Sequence, residues 1–248
     1  MAIKIPNLPE KPQENDYVIA YVDLLGTKKL LQKADTADVF DKIYTAYLTA
    51  TRLIPCCLEK FFLNQLEVKV FSDNILVAYK VSDCTNKECV YDSYDRITLF
   101  LRFFLAMLTN DGLLFRGAIT VGKLSINDVM VWGKGLSDVV DLEENVAIYP
   151  RIILSENLLK VFYEFGIDGV EFEERFRCLK DFDDCVFFDF FDYNDWGSMD
   201  NLLYNANYHL GEKLKSEKNP KVLQKIYWYR NYINKVTEIY EEVKHSFD

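Results

Sequence analysis

Residues 69–79 read KVFSDNILVAY, a β-strand pattern with a break in it: apolar residues stand on both sides of the triplet Ser72-Asp73-Asn74. A carboxylate inside a run that favours burial needs a compensating partner. The simplest organisation of LEVKVFSDNILVAYKV is a hairpin that turns at Asp73-Asn74, with Asp73 at one end of a sheet. Upstream, YVIAYVDLLG (17–26) is a β-branched and aromatic run closed by Gly26, the pattern of a buried strand and a turn. Between the two, TKKLLQKADTADVFDKIYTAYLTATRLI carries apolar residues at helical spacing.

Downstream, YDSYDRITLFLRFFLAMLTNDG is an apolar helix that Gly112 ends. LLFRGAITVGKL and VMVWG read as strands joined near Asn127-Asp128, GLSDVVDLEENVAI as a helix, and RIILS as a short strand. The order β, α, β, β, α, β, β, α, β predicts an α+β fold: a mainly antiparallel sheet with helices on one face, built on a ferredoxin-like core. Residues 1–16, with Pro6, Pro9 and Pro12, read as an extended arm, and 17–160 as the core domain. Residues 161–248 read as a C-terminal extension packed on the core or on a partner subunit; KVLQKIYWYRNYINKVTEIYEEVKHSF is a long helix after Pro220. In DFDDCVFFDFFDYNDW, the expectation is a strand with aromatics inward and acids outward.

The bulk numbers set limits. In 248 residues, 50% hydrophobic and 15% aromatic content supplies a large core. A formal charge of −10 argues against duplex nucleic acid or an anionic membrane surface as a partner, since both require a basic face. Six cysteines and two histidines lack the spacing of a zinc site and read as thiols in a reducing compartment. No run is long and apolar enough to cross a bilayer, and a cytoplasmic location is expected.

Asp23 closes the first strand and Asp73 lies at the hairpin turn, and in a ferredoxin-like sheet those strands are neighbours. Two converging carboxylates repel unless a cation neutralises them, and a pair of divalent ions both neutralises them and suits phosphoryl transfer. The ordered motifs YVDLLG, VKVFSDNILVA, FRGAITVGKL, VWGKGLSDVVDLEE and RIILS resemble the class III nucleotide cyclase catalytic domain over residues 17–155. That resemblance implies Asp23, Asp73 and the backbone carbonyl of Leu24 as ligands of two ions, Mn2+ or Mg2+, in a site shared across a homodimer.

Two departures bear on the substrate. Where purine cyclases supply an Asn and an Arg from the helix after the WG turn, this chain has Ser137 and Asp141. The base-reading pair falls on Lys69 and Met130, and a thioether is a poor acceptor for the amino group of adenine. With the acidic-aromatic FFDFF run and KIYWYRNYIN, nearly the whole chain is similar to the bacterial anti-phage pyrimidine cyclases. That likeness implies cyclic UMP or cyclic CMP made from UTP or CTP, and a separate effector activated by the product.

Phosphate charge must also be offset. Arg116 and Lys123 flank the strand that holds Gly117 and Gly122, and Arg151 opens the last core strand, so these three are the candidate nucleotide contacts, with Arg116 assigned to catalysis. The glycines also have a purely structural reading, close packing of a helix over the strand. Two other readings of the chain stay open: a catalytically silent cyclase-like module, and an atypical purine cyclase.

Overall fold

The computed structural model describes residues 11–27, 36–57, 65–81, 86–191 and 196–245. The strands are β1 (Asn15–Leu25), β2 (Leu66–Phe71), β3 (Asn74–Lys80), β4 (Leu114–Ile126), β5 (Val131–Trp132), β6 (Ile152–Leu154), β7 (Cys178–Lys180) and β8 (Val186–Phe188). The helices are α1 (Thr36–Cys57), α2 (Lys87–Asn110), α3 (Lys134–Asn145), α4 (Glu156–Tyr163), α5 (Gly169–Phe176), α6 (Trp196–Ser216) and α7 (Pro220–His245).

One sheet runs in the order β2-β3-β1-β4-β6-β8-β7, with β5 paired to β4. Its first four strands, with α1 and α2 between them, have the connectivity and order of a ferredoxin-like βαββαβ unit. All pairings but β4 with β6 are antiparallel, so the fold is the α+β arrangement with a mainly antiparallel sheet that the sequence predicts. β1 lies inside the sheet between β3 and β4, and it is apolar on both faces: Val18, Ile19, Ala20 and Val22 are fully buried.

Local chemistry sets the ends of the elements. Asn86 caps α2 by accepting from the Cys89 amide at 3.2 Å, and Ser155 caps α4 by accepting from Leu158 at 3.1 Å. The β2–β3 hairpin turns at Ser72-Asp73, one residue before the expected position, because Phe71 pairs with Asn74. Strand β1 begins at Asn15, inside the expected arm, whose residues 1–10 lie outside the described residues.

The glycines of β4 serve close packing. A Cβ on Gly117 would stand 2.2 Å from the Tyr21 carbonyl, and one on Gly122 would stand 3.0 Å from Gly135 Cα. α3 therefore crosses β4 glycine against glycine, and this seats its last turn over the end of the sheet that carries Asp23.

The acidic-aromatic run departs from the sequence reading. Strand β8 ends at Phe188, and Asp189 turns inward, where it accepts a 2.6 Å hydrogen bond from the Tyr232 hydroxyl of α7. Aromatic rings of that run, Phe187, Phe190 and Phe191, all contact Tyr232. Cys178 and Cys185 are free thiols, whereas Cys89 is disulfide-bonded and departs from the all-thiol expectation. No described helix is long and apolar enough to cross a membrane.

Candidate active site

Strand register brings the two acids together. Asp23 lies opposite Asn74 across β1 and β3, and the Leu24 amide donates to the Asp73 carbonyl at 3.0 Å. The two carboxylates thus flank one end of adjacent strands, and Asp23 feels the charge of Asp73. Thr27, buried behind Gly26, ties the predicted ligands to each other: its hydroxyl makes a short contact with Asp73 Oδ2 and lies 3.3 Å from the Leu24 carbonyl.

Arg116 lies opposite Asp23 on β4, so their side chains leave the same face of the sheet. Its Nε donates to Asp23 Oδ2 at 3.3 Å and also sits 2.6 Å from Glu143 Oε1, in the last turn of α3. The single Nε–H is directed at Asp23. Glu143, 3% exposed, therefore meets the guanidinium as a charge while its Oε1 accepts no hydrogen bond. Lys225 of α7 adds a second positive charge to the cluster.

Burial dominates the electrostatics here. It raises Asp23 above the usual carboxylate range, with Arg116 opposing and Asp73 adding to the rise. Glu143 is pushed up to about 7 by burial, against the pull of Arg116 and with the repulsion of Asp23 behind it. Burial and the Arg116 charge lower Lys225, and the two acids oppose that fall.

A cavity of about 400 Å³ opens beside Asp73, lined by Thr27, Phe40, Ile43 and Ser72 among others. Of its lining residues, Phe40 is exposed and stacks on exposed Tyr44 with centroids 5.9 Å apart, while Tyr47 packs edge-on against Phe100 in the interior.

The remaining sequence candidates scatter. Lys69 on β2 stands 3.4 Å from Glu67 and 3.7 Å from Asp128, and the latter belongs to the β4–β5 turn that also carries exposed Met130. The two positions expected from sequence to read the base are therefore brought to one region. Lys123 pairs with Asp16 at 2.8 Å, seven strand positions from Asp23, which is roughly 23 Å at the usual strand rise. Arg151 is occupied elsewhere: its buried guanidinium holds Asp181 and grips Asp183 through two nitrogens at 2.9 and 2.5 Å. Ser137 and Asp141 lie on α3, as the sequence order predicts.

Thr27, Glu143 and Lys225 were missed from sequence. Thr27 follows the strand-ending Gly directly and was readable as its neighbour, whereas Glu143 is one acid among several in DLEEN and Lys225 reaches the site across some 200 residues of chain. Among the described residues no group of three or more His, Cys, Asp or Glu side chains is arranged around a metal position. The donor set expected from sequence, two carboxylates and a carbonyl, would suit hard octahedral ions that keep water and take further ligands from phosphate.

No protein-family model matches the chain, and no curated protein matches it in sequence. Solved structures do match in shape. The monomeric guanylyl cyclase domain of the RhoGC fusion protein from the aquatic fungus Blastocladiella emersonii aligns over 71% of this chain and 96% of its own, at 13% identity and a TM-score of 0.48. The adenylyl cyclase CyaB from P. aeruginosa aligns over 71% and 93%, at 12% identity and 0.44. A class III adenylyl cyclase-like ATP-binding protein from Pseudomonas aeruginosa aligns over 86% and 48%, at 10% identity and 0.43.

Proposed function

We propose that this chain is a pyrimidine nucleotide cyclase, which converts UTP, or CTP, to the 3′,5′-cyclic monophosphate and diphosphate. The observation that carries the reading is the convergence of Asp23 and Asp73 on adjacent strand ends, with Arg116 on the same face. The order of motifs from YVDLLG to RIILS supports it from the sequence.

In the reaction the ribose 3′-oxygen attacks the α-phosphorus, its proton leaves, and the bond from that phosphorus to the β-bridging oxygen breaks. Asp23, Asp73 and the Leu24 carbonyl would hold two divalent ions, Mn2+ or Mg2+; bound there, such ions ease loss of the 3′-hydroxyl proton and offset charge on the phosphate oxygens. Thr27 keeps Asp73 and the Leu24 carbonyl in fixed relation. Arg116 offers the triphosphate a planar donor set, since both of its carboxylate contacts are through Nε. The cavity beside Asp73 falls in the size range of small-molecule sites. Lys69 meets a base carbonyl, and Met130 disfavours adenine.

A homodimer is part of this reading, and exposed Val129, Met130 and Trp132 at the β4–β5 hairpin offer a second copy an apolar surface. The product would act as a second messenger in defence against phage through a separate effector, a role that rests on the sequence likeness alone. One observation favours a second reading, a silent nucleotide-binding module: Ser137 and Asp141 replace the Asn and Arg of purine cyclases.

Incubation of the pure protein with each of the four NTPs and Mn2+, read by mass spectrometry, separates these. The expected product is cyclic UMP or cyclic CMP, with Asp73→Asn losing about 100-fold or more while its circular dichroism stays native. Product from ATP alone rejects the pyrimidine claim, and no product from a folded protein leaves the silent module.

A further inference from the structure

Glu143 is placed at a cost that the fold does not require. Its side chain is 3% exposed, its Oε1 accepts no hydrogen bond, and a neutral residue of the same volume would fill the position on α3 without a buried charge. Arg116 does not depend on it for a partner, because Asp23 takes the Nε–H. Buried charges of this kind gather at working sites more often than in frameworks.

The last helix approaches the same cluster. Tyr229 of α7 packs edge-on against Phe115, the neighbour of Arg116 on β4, and its hydroxyl lies 2.7 Å from that of Thr109. Gln224 donates to the Tyr149 hydroxyl at 3.0 Å. These contacts fix α7 along the end of β4, and Lys225, one turn before Tyr229, shares its face of the helix. Lys225 is half-buried, its charge is felt by Asp23 and Glu143, and it feels that of Arg116.

We propose that Glu143 is a positioning residue that keeps Arg116 aligned when Asp23 turns to the metal ions, and that Lys225 makes the C-terminal helix a working part of the site. This rests on the cyclase reading. An Asp23 carboxylate engaged by divalent ions is a weaker acceptor for Arg116. Glu143, 2.6 Å from Nε, then anchors the stem of the guanidinium and leaves its terminal nitrogens for the triphosphate. Lys225 offsets the negative charge that two acids leave beside Arg116.

The test compares Glu143→Gln, Lys225→Met and Lys225→Arg with the wild type. Turnover is measured with the four NTPs and Mn2+, and melting temperature is measured at pH 8 without metal or nucleotide. Glu143→Gln is expected to melt higher than the wild type and yet lose about tenfold or more in kcat, with a smaller change in KM, because misalignment of about an ångström costs up to about 100-fold. Lys225→Met is expected to lose kcat, and Lys225→Arg to keep most of it. Unchanged kcat in Glu143→Gln overturns the positioning role, and so does lower stability with activity falling in step, which marks a framework residue. Full activity in Lys225→Met removes α7 from the site. A wild type that makes no cyclic nucleotide removes the cyclase reading, and this inference with it.

Discussion

Glu143 couples the candidate site to pH through stability as well as chemistry. Its carboxyl is pushed up to about 7 in the folded chain, against an ordinary value of 4.5. Between those values the folded protein holds a proton that the unfolded chain has released. The contribution is therefore fully present below pH 4.5 and is lost as the pH rises toward 7. At about 1.4 kcal/mol for each pH unit spanned, the loss reaches up to roughly 3 kcal/mol. Glutamine in its place cannot release a proton, so Glu143→Gln should gain on the wild type from pH 5 to pH 8 in urea unfolding. Equal pH dependence in the two proteins would place the ionised carboxylate in a far more polar setting than its burial implies. At this scale the sequence was informative where a residue breaks a pattern. Asp23 and Asp73 interrupt apolar strands and stand out, whereas Glu143 sits in a run of acids on an amphipathic helix, where a charge is the ordinary content of the exposed face.

At the scale of elements, register decided what the sequence left undetermined. Ser72, Asp73 and Asn74 are all common turn residues, and FSDNI admits a turn at either pair. Pairing decides it: β3 lies between β1 and β2 with Asn74 opposite Asp23 on one side and opposite Phe71 on the other, which leaves Ser72 and Asp73 as the two turn residues. The outcome places Ser72 at positive φ, 59°, at the first of the two turn residues, where a type II′ turn favours glycine. That conformation costs an L-residue roughly 1–2 kcal/mol, and glycine in the unfolded chain costs about 0.5–1 kcal/mol in added entropy. The difference favours glycine, so Ser72→Gly should stabilise the protein by roughly 0.5–1 kcal/mol in urea unfolding. A loss of stability would mean that the Ser72 side chain holds the hairpin in some other way. The order of elements as far as β6, by contrast, was legible from pattern, because strand spacing gives way to helical spacing after Gly26 and helical spacing to a strand at Gly112, whereas α4, α5, β7 and α6 were not anticipated.

The whole molecule is joined by contacts that no local pattern announces. Arg151 reads in sequence as a free cation at a strand start, yet its acceptors, Asp181 and Asp183, lie 30 and 32 residues on, in a stretch that reads as a strand with its acids outward. The guanidinium also faces the rings of Tyr149 and Trp228 at 5.4 and 5.7 Å, and the Trp228 indole donates to Asp181 at 2.8 Å. One buried charge therefore binds the β6 end of the sheet, the β7–β8 connection and α7 together, with β8 and β7 continuing the sheet beyond β6. Removing one partner of such a buried pair leaves uncompensated charge and typically costs about 3–5 kcal/mol. Arg151→Met, which keeps most of the apolar stem volume, should lose stability of that order. Because α7 also carries Lys225, the same variant should lower the cyclase activity proposed above at temperatures well below its melting point. If strands and last helix are one cooperative unit, tryptophan fluorescence and far-ultraviolet dichroism should report coincident urea transitions in the wild type. A fluorescence transition at lower urea than the dichroism transition would instead make α7 a separately released element, held to the sheet chiefly by Arg151.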